Sequence, residues 1–378
     1  MDKDPKDITI SKEFQSIVVP KQLTGPVKAI LQEKKLSATE TKNVVDDPNG
    51  KRIILVPEVT ELPKEVLEKV PEAKLEPYPV TLTYKQLTYI ELLRHYIPEP
   101  LVIPTSFETI GHIAHLNLPD ELLPYKKVIG ECIILKNPCI KTVAIKQGPI
   151  NNVYRNMELE VIAGKNQFIT EVKQSGFTFK MDFSKVYWNS RLQYEHDSVV
   201  ATFKEDSLVC DAMCGIGPFA VRAAKKGCRV RANDLNPDSY YWLKENCKIN
   251  GVSENVECFN MDAREFIRKQ FDNGGCDYIV MNLPGTAVEF LDAIGEGAKK
   301  NRETARMPVV IFHAFDNKDG DYVASLRARA EKALGMKLPE MDIHNVRDVS
   351  PGKFMFRCTF SCADLFTDED DDKPHKVE

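Results

Sequence analysis

Short apolar runs alternate with longer amphipathic segments through the second half of the chain. Five segments read as strand, turn and helix in succession, beginning at SLVCD, CRVRAND, NVECFN, CDYIVMN and PVVIFHAF. This regular alternation predicts a parallel, doubly wound sheet. The last two apolar runs, MDIHNVRDV and KFMFRCTFSC, are separated only by SPG, so we expect an antiparallel hairpin at one sheet edge. The predicted class is α/β with a mainly parallel, seven-stranded sheet.

The first half of the chain has a different rhythm. TYKQLTYIELLRHYIP (83–98) has apolar residues at helical spacing and predicts a helix that stops at Pro98. From about residue 100, short β-branched runs such as KKVIGECIILKN and KTVAIKQGPI predict strands in an α+β middle domain. The predicted division is 1–98, 99–185, 186–365 and a disordered acidic tail, 366–378.

Composition places the chain among ordinary globular proteins, with 43% hydrophobic and 28% charged residues. No apolar run approaches a membrane helix, and the acidic start MDKDPKD does not resemble a signal peptide. The ten cysteines include no C-x-x-C pair, so we expect reduced thiols and no metal site. We therefore predict a cytoplasmic monomer and leave the nucleus and the mitochondrial matrix open as compartments.

The net charge of −5 does not decide whether the partner is a nucleic acid. Most of that charge lies in the tail DEDDDKPHKVE (368–378), and the rest of the chain is near neutral. The segments KKNRETAR (299–306) and SLRARAEK (325–332) are basic, but solvated loop and helix faces explain each of them equally well.

The first strand of the α/β segment leads into the turn DAMCGIGPF (211–219). Gly215 and Gly217 let the backbone approach a ligand closely, but the third position of a dinucleotide fingerprint holds Ala220. Asp211 stands at the strand end before the glycines. A carboxylate at this turn favours a cationic ligand without phosphate, such as S-adenosylmethionine, over a dinucleotide.

Two more carboxylates follow the next two strands. Asp234 is placed to accept the hydroxyls of a ribose, and Asp262 in NMDAREF is placed to bond an adenine amino group. Each could instead be a helix N-cap, and Asp262 before AREF resembles one. Taken with Asp211, they favour S-adenosylmethionine.

The fourth strand ends in MNLPGTAVEF. Asn282 and Pro284 either form an ordinary turn from strand to helix or face a substrate. The motifs DAMCGIGPF, ANDLNP, NMDAREF and MNLPGTAVEFLDA, with VYWNSRLQYEH and IPTSFETIGHIAHLNL upstream, together resemble the tRNA (guanine-N1)-methyltransferases of archaea and eukaryotes. The resemblance covers roughly residues 100–365. It departs from the family at Met213 and Cys214.

The resemblance implies a class I, Rossmann-like methyltransferase domain with upstream α+β domains that bind RNA. It implies that Glu195 is the general base, that Arg155 orients the guanine, and that Asn282 and Pro284 complete the guanine pocket. Domain 1–98 would recognise tRNA, and domain 99–185 would contribute to the guanine site. The resemblance also implies a set of cofactor-binding residues. They are Arg191, His196, Asp211, Gly215, Gly217, Asp234, Leu235, Asp262, Ala263 and Asn282.

These roles suit the chemistry of guanine, whose N1 carries a proton and is a poor nucleophile until the proton is removed. A carboxylate base serves that step, an arginine can stabilise charge on O6, and an amide can bond the purine edge. The target base must leave its stack to be reached. Two rival functions remain open: aminocarboxypropyl transfer to tRNA in wybutosine synthesis, and RNA binding without catalysis.

Overall fold

The computed structural model describes residues 3–147, 158–317 and 320–369. Contacts between residues divide the chain into two units. The first unit comprises residues up to 107 together with 114–145 and 161–165, and the second comprises 108–113, 146–160 and 166 onward. The predicted boundaries at 98, 185 and 365 remain predictions. Residues 370–378 of the predicted tail lie outside the described residues.

The strands have the following bounds in chain order: β1 Thr9–Val19, β2 Val44–Asp47, β3 Gly50–Leu55, β4 Glu76–Thr83, β5 Glu108–Ile110, β6 Ile113–Leu116, β7 Thr142–Gln147, β8 Glu158–Gly164, β9 Ile169–Gln174, β10 Phe177–Asp182, β11 Leu208–Asp211, β12 Arg229–Asn233, β13 Val256–Phe259, β14 Tyr278–Met281, β15 Val309–Asn317, β16 Asp342–Ser350 and β17 Lys353–Ser361. The α-helices are α1 Thr24–Glu33, α2 Lys64–Lys69, α3 Tyr89–Arg94, α4 Lys126–Lys136, α5 Gln193–Thr202, α6 Pro218–Lys225, α7 Pro237–Ile249, α8 Ala263–Asp272, α9 Leu291–Lys300 and α10 Tyr322–Leu334.

The first unit contains an antiparallel sheet in the order β2-β3-β1-β4. One face of β1 and β3 packs against α1 and α2, where Ile17, Leu31 and Val66 are fully buried. A second core includes Leu92 of α3 and Ile133 of α4.

Two predictions about this unit were wrong. The predicted helix 83–98 is confined to α3, because Thr88 and Glu91 form a capping box that starts the helix at Tyr89. KKVIGECIILKN, predicted as a strand, forms α4. Its Ile129, Cys132 and Ile133 lie three and four residues apart and share one buried helix face. That spacing outweighed the β-branched composition.

The second unit contains the predicted seven-stranded sheet, in the order β13-β12-β11-β14-β15-β17-β16. The first five strands are parallel, and β17 and β16 form the expected antiparallel hairpin at the edge. One face packs against α5, α6 and α7, and the other packs against α8, α9 and α10. No helix among the described residues is long and apolar enough to cross a membrane.

A close helix contact depends on a glycine in α9. A Cβ built on Gly295 would lie 2.1 Å from the carbonyl oxygen of Leu334 in α10. We expect Gly295→Ala to lower the free energy of unfolding by about 1–3 kcal/mol, because backbone atoms must separate. Urea denaturation measures this change.

The matched control is Gly25→Ala in α1, since Gly25 is exposed and its Cβ would meet nothing within 4 Å. That variant should be neutral or stabilised by up to about 1 kcal/mol. Equal losses in the two variants would show that the α9 contact is not the cause.

Candidate active site

Polar side chains collect on one face of the second unit's sheet, where the parallel strands end. Val209, Val280 and Ile311 belong to the core on the α5, α6 and α7 side. Because side chains alternate along strands, Asp211 at the end of β11 and His313 two residues beyond Ile311 lie on this face. Asn282, two residues beyond Val280, continues the same alternation. These three strands therefore direct a carboxyl, an amide and an imidazole towards one region.

The glycine turn after β11 has the predicted form. Gly215 and Gly217 have φ angles of 55° and 94°, which residues other than glycine rarely adopt, and α6 begins at Pro218. The Asp234 carboxylate accepts hydrogen bonds from the main-chain amides of Gly215 (2.8 Å) and Asn236 (2.9 Å). Asp234 therefore fixes the turn, and its predicted bond to a ribose remains a prediction.

Asn233 is a site residue that the sequence analysis missed. Its side-chain amide donates to the carbonyl oxygens of Ala212 and Met261, each at 3.1 Å, and its Oδ1 accepts from the Met261 amide at 3.0 Å. This one buried side chain holds the loops after β11 and β13 against the end of β12. Its position in ANDLNP, at the end of a strand, was the available signal.

The carboxyl group of Asp211 is fully buried, and neither oxygen has a hydrogen-bond partner among the described residues. Burial raises the pKa of Asp211 to about 8, and the nearby Asp234 carboxylate adds to the rise. The nearby main-chain amide of Met213, which forms no regular hydrogen bond to the carboxyl, opposes the rise only in part. Below about pH 8 the free protein therefore holds Asp211 mainly as a neutral acid, and a cationic ligand would favour its ionised form.

The remaining predicted cofactor positions differ in their surroundings. Asp262 caps α8 by accepting from the amides of Arg264 (2.8 Å) and Glu265 (3.3 Å). Ala263 is buried and Leu235 is exposed. The capping interpretation of Asp262 holds, and a bond to adenine remains a separate prediction.

Glu195 is almost entirely buried, with 3% of the residue exposed. Its Oε1 lies 2.7 Å from Nε2 of His313, and Nη1 of Arg357 lies 3.3 Å from Oε1 and 3.2 Å from Oε2. The Ser198 hydroxyl oxygen also lies 3.3 Å from Oε2. His313 and Arg357 contact Glu195 from distant parts of the chain, and no local sequence pattern indicates either of them.

Arg191 and His196, which lie close to Glu195 in the sequence, differ in solvent exposure. The Arg191 side chain is exposed. His196 is buried, packs edge-on against Phe219 with ring centroids 4.7 Å apart, and has no partner for Nδ1 among the described residues. Burial lowers the pKa of His196 well below its usual value, and the Arg222 guanidinium adds to this effect. Their contacts with a cofactor remain predictions.

The turn after β14 leaves one amide oxygen unpaired. Asn282 Oδ1 is buried without a hydrogen-bond partner in the described chain, while the Pro284 carbonyl accepts from the Phe315 amide at 3.1 Å. The bond from Phe315 fixes the turn against β15 and leaves the Asn282 side chain available. Arg155, the predicted guanine-orienting residue, lies outside the described residues.

The basic segments 299–306 and 325–332 are engaged in contacts within the protein. Lys300 pairs with Asp272 and Arg306 with Asp277, and Arg329 donates to the Phe315 carbonyl. These contacts favour the interpretation of solvated, internally paired faces over that of a dedicated RNA surface.

The unpaired atoms fit S-adenosylmethionine. A buried carboxyl at Asp211 suits a cation, and Asn282 adds an acceptor on the same face. A Cβ built on Gly215 would meet no atom within 4 Å, so there is open space beside the turn. No group of three or more His, Cys, Asp or Glu residues able to hold a metal occurs in the part of the chain that the structure describes.

Comparison with known proteins identifies similar sequences over the whole chain. The profile of the TRM5/TYW2 methyltransferase domain matches residues 170–319, and that of the TYW2 N-terminal domain matches 89–167. A tRNA (guanine(37)-N(1))-methyltransferase of Trichomonas vaginalis is 98% identical and covers 100% of both chains. That of Xenopus tropicalis is 37% identical over 95% of this chain and 77% of its own length.

Solved structures share the fold. Trm5b from Pyrococcus abyssi has a TM-score of 0.62 and 27% identity, with 92% of this chain and 98% of that chain covered. The complex of aTrm5 and tRNALeu has a TM-score of 0.66 at 22% identity, with 92% of this chain and 99% of that chain covered.

Burial of the Asp211 carboxyl predicts that the stability of the protein depends on pH. Its pKa is raised from 3.8 to about 8, so the unfolded chain loses this proton at lower pH than the folded chain. Asp211 therefore costs stability progressively from about pH 4 to pH 8, and the full cost is present above pH 8. Relative to the wild type, Asp211→Asn should gain about 2 °C or more in thermal midpoint between pH 5 and pH 8.

The same variant should bind S-adenosylmethionine much more weakly by calorimetry, because the carboxylate for a cation is gone. Asp321→Asn is the control, since Asp321 is exposed and caps α10, where Asn serves equally well. A stability difference that does not change with pH, together with undiminished cofactor binding, would contradict the assignment of Asp211.

Proposed function

Because the chain belongs to the tRNA (guanine(37)-N(1))-methyltransferase family, we propose that Glu195, Asn282 and Pro284 carry out methyl transfer from S-adenosylmethionine to N1 of guanosine 37 in tRNA. The observation that supports this assignment most is the set of unsatisfied buried atoms on Asp211 and Asn282, on the same sheet face as the contact between Glu195 and His313. Buried polar groups are normally hydrogen-bonded, and a bound ligand accounts for the unpaired atoms at this site.

Glu195 acts as the general base in this proposal. Guanine N1 holds a proton, and its lone pair is delocalised into the ring, so N1 must be deprotonated before it attacks. The N1–H bond breaks, a new O–H bond forms on Glu195, and the electron pair stays on N1. A positioned carboxylate accelerates such a step by about 10²–10⁴-fold.

Asn282 and Pro284 shape the guanine pocket. The Asn282 amide offers both a donor and an acceptor to a purine edge, and its Oδ1 is buried without a partner among the described residues. Pro284 presents an apolar ring and no N–H donor. Arg155 completes the proposal as the cation that stabilises charge developing on O6.

S-adenosylmethionine supplies the electrophilic methyl group when it is bound. Asp211 accepts its cationic part, and the turn at Gly215 and Gly217 allows close approach of the backbone. We assign its ribose to Asp234 and its adenine to Asp262 with Ala263. Arg191, His196 and Leu235 complete the proposed surroundings.

The macromolecular partner in this proposal is tRNA, with guanosine 37 extruded from its stack. The structure of a relative, aTrm5, has been solved in complex with tRNALeu, and the folds are similar. We assign recognition of the tRNA body to residues upstream of the α/β sheet, through shape and phosphate contacts. The enzyme acts as a monomer in the cytoplasm under this proposal.

The principal rival is aminocarboxypropyl transfer to tRNA. The description of the matching profile names TYW2 as well as TRM5, so the profile alone does not separate the two reactions. The relatives that match most of this chain carry the methyltransferase name, and no contact among the described site residues favours the rival. Mass analysis of the product nucleoside distinguishes a methyl increment from a much larger group.

We expect Glu195→Gln to reduce methyl transfer by about 10²–10⁴-fold, since the amide cannot accept the N1 proton. Asn282→Ala should reduce it about 10- to 100-fold, because one buried hydrogen bond to the base is lost. The assay is transfer of labelled methyl to an unmodified tRNA transcript, with thermal midpoints measured in parallel.

The substrate control is the same transcript with adenosine at position 37, which should accept no methyl group. Retained activity on that transcript would count against guanosine 37 as the target. If Asn282→Ala lost stability in proportion to activity, Asn282 would be an ordinary turn residue.

A further inference from the structure

The carboxylate of Glu195 is held by two residues that face each other across neighbouring strands. His313 on β15 and Arg357 on β17 are direct partners in the antiparallel register. Side chains of such partners lie on the same sheet face with Cβ atoms about 4.5–5.5 Å apart. Both reach Glu195, which comes from α5 packed on that face.

We propose that His313 and Arg357 are positioning residues that fix the orientation of the Glu195 carboxylate for removal of the guanine N1 proton. This inference rests on the proposed role of Glu195 as the base. It assigns a task to the antiparallel edge of the sheet, which supplies Arg357, in addition to the parallel part that gathers the cofactor groups.

The position of the proton on His313 follows from its surroundings. His313 is fully buried, its Nε2 lies 2.7 Å from Glu195 Oε1, and Nδ1 has no partner within the described residues. A proton on Nδ1 would be a buried donor without an acceptor among the described residues, which is unfavourable. The proton therefore sits on Nε2, and His313 donates it to Glu195.

Because Nε2 already carries a proton, His313 cannot accept another at the atom that faces Glu195. The proton taken from guanine N1 therefore stays on Glu195 during the transfer. The hydrogen bond from His313 occupies one lone pair of Glu195 Oε1 and restricts rotation of the carboxylate. The remaining lone pairs can accept a hydrogen bond from the substrate.

Arg357 completes the restraint from a second direction. Its Nη1 lies 3.3 Å and 3.2 Å from the two carboxylate oxygens and donates to the Ser198 hydroxyl at 3.0 Å. Ser198 in turn donates to the main-chain carbonyl of Glu195 at 3.1 Å. The guanidinium offsets the cost of burying a carboxylate. The donors together restrict the rotamers of the Glu195 side chain before the substrate binds.

Misplacing a catalytic group by about 1 Å can cost 10²-fold in rate, so loss of the restraint should appear in the chemical step. We expect His313→Leu to lower kcat on the G37 transcript by about 10- to 100-fold. The KM for tRNA and the dissociation constant for S-adenosylmethionine should change less than about 3-fold, because His313 contacts neither ligand in this account.

His313→Gln is the decisive conservative variant, since its side-chain amide can still donate to Glu195. It should recover most of the rate lost in His313→Leu. Equal losses in the two variants, or a loss confined to KM, would overturn the positioning role, and the Gln variant remains informative if the Leu variant folds poorly. Arg357→Lys and Arg357→Met form the corresponding pair. Arg357→Lys keeps a cationic donor, as His313→Gln keeps a donor, and Arg357→Met removes it, as His313→Leu does.

A double variant separates this inference from the proposed function. In a Glu195→Gln background, adding His313→Leu should cause little further loss of kcat, because the residue it positions is already inactive. A full additional loss would overturn the positioning role and leave the base assignment intact. Wild-type activity in Glu195→Gln alone would instead overturn the proposed function.

Arg222→Met is the matched control for Arg357→Met. Arg222 is buried and pairs with Asp197, two residues beyond Glu195 on α5, at 2.8 Å. This substitution should lower thermal stability without lowering kcat. A loss of kcat as large as that of Arg357→Met would show that any disturbance of α5 reduces catalysis and would contradict a specific role for Arg357.

Discussion

Burial of polar groups that the protein itself leaves partly unpaired is the constraint on which this site depends. Parallel strands end together, so their terminal side chains meet at one edge. There Asp211 and Asn282 keep buried oxygens without partners in the described chain, and the Asp211 pKa rises to about 8. Such groups reduce stability in the free protein, and a ligand that pairs with them recovers the lost free energy.

The surrounding structure holds these groups in place. Asn233 bonds to the loops on both sides of its strand, and Asp234 fixes the glycine turn through two main-chain amides. Asn233 and Asp234, at the end of β12, bind protein atoms. The unpaired atoms belong to Asp211 and Asn282, at the ends of β11 and β14. The antiparallel strand β17 adds Arg357 opposite His313, so both parts of the mixed sheet contribute to the surroundings of Glu195.

The sequence predicted the α/β sheet well, because strand, turn and helix signals recur locally and each is strong. It also predicted the glycine turn, which needs positive φ at Gly215 and Gly217. It failed at α4, where β-branched residues share a buried helix face. His313 and Arg357 were missed because they lie 118 and 162 residues beyond Glu195. Their contact depends on strand order and register, which no local pattern contains.

The most direct measurement is a crystal structure of the protein with S-adenosylhomocysteine and an anticodon stem-loop that carries guanosine 37. This account predicts new hydrogen bonds to Asp211 and Asn282, and a Glu195 oxygen within about 3.2 Å of guanine N1. The bond from His313 to Glu195 should persist. A guanine bound elsewhere, or a Glu195 carboxylate turned away from N1, would contradict the account.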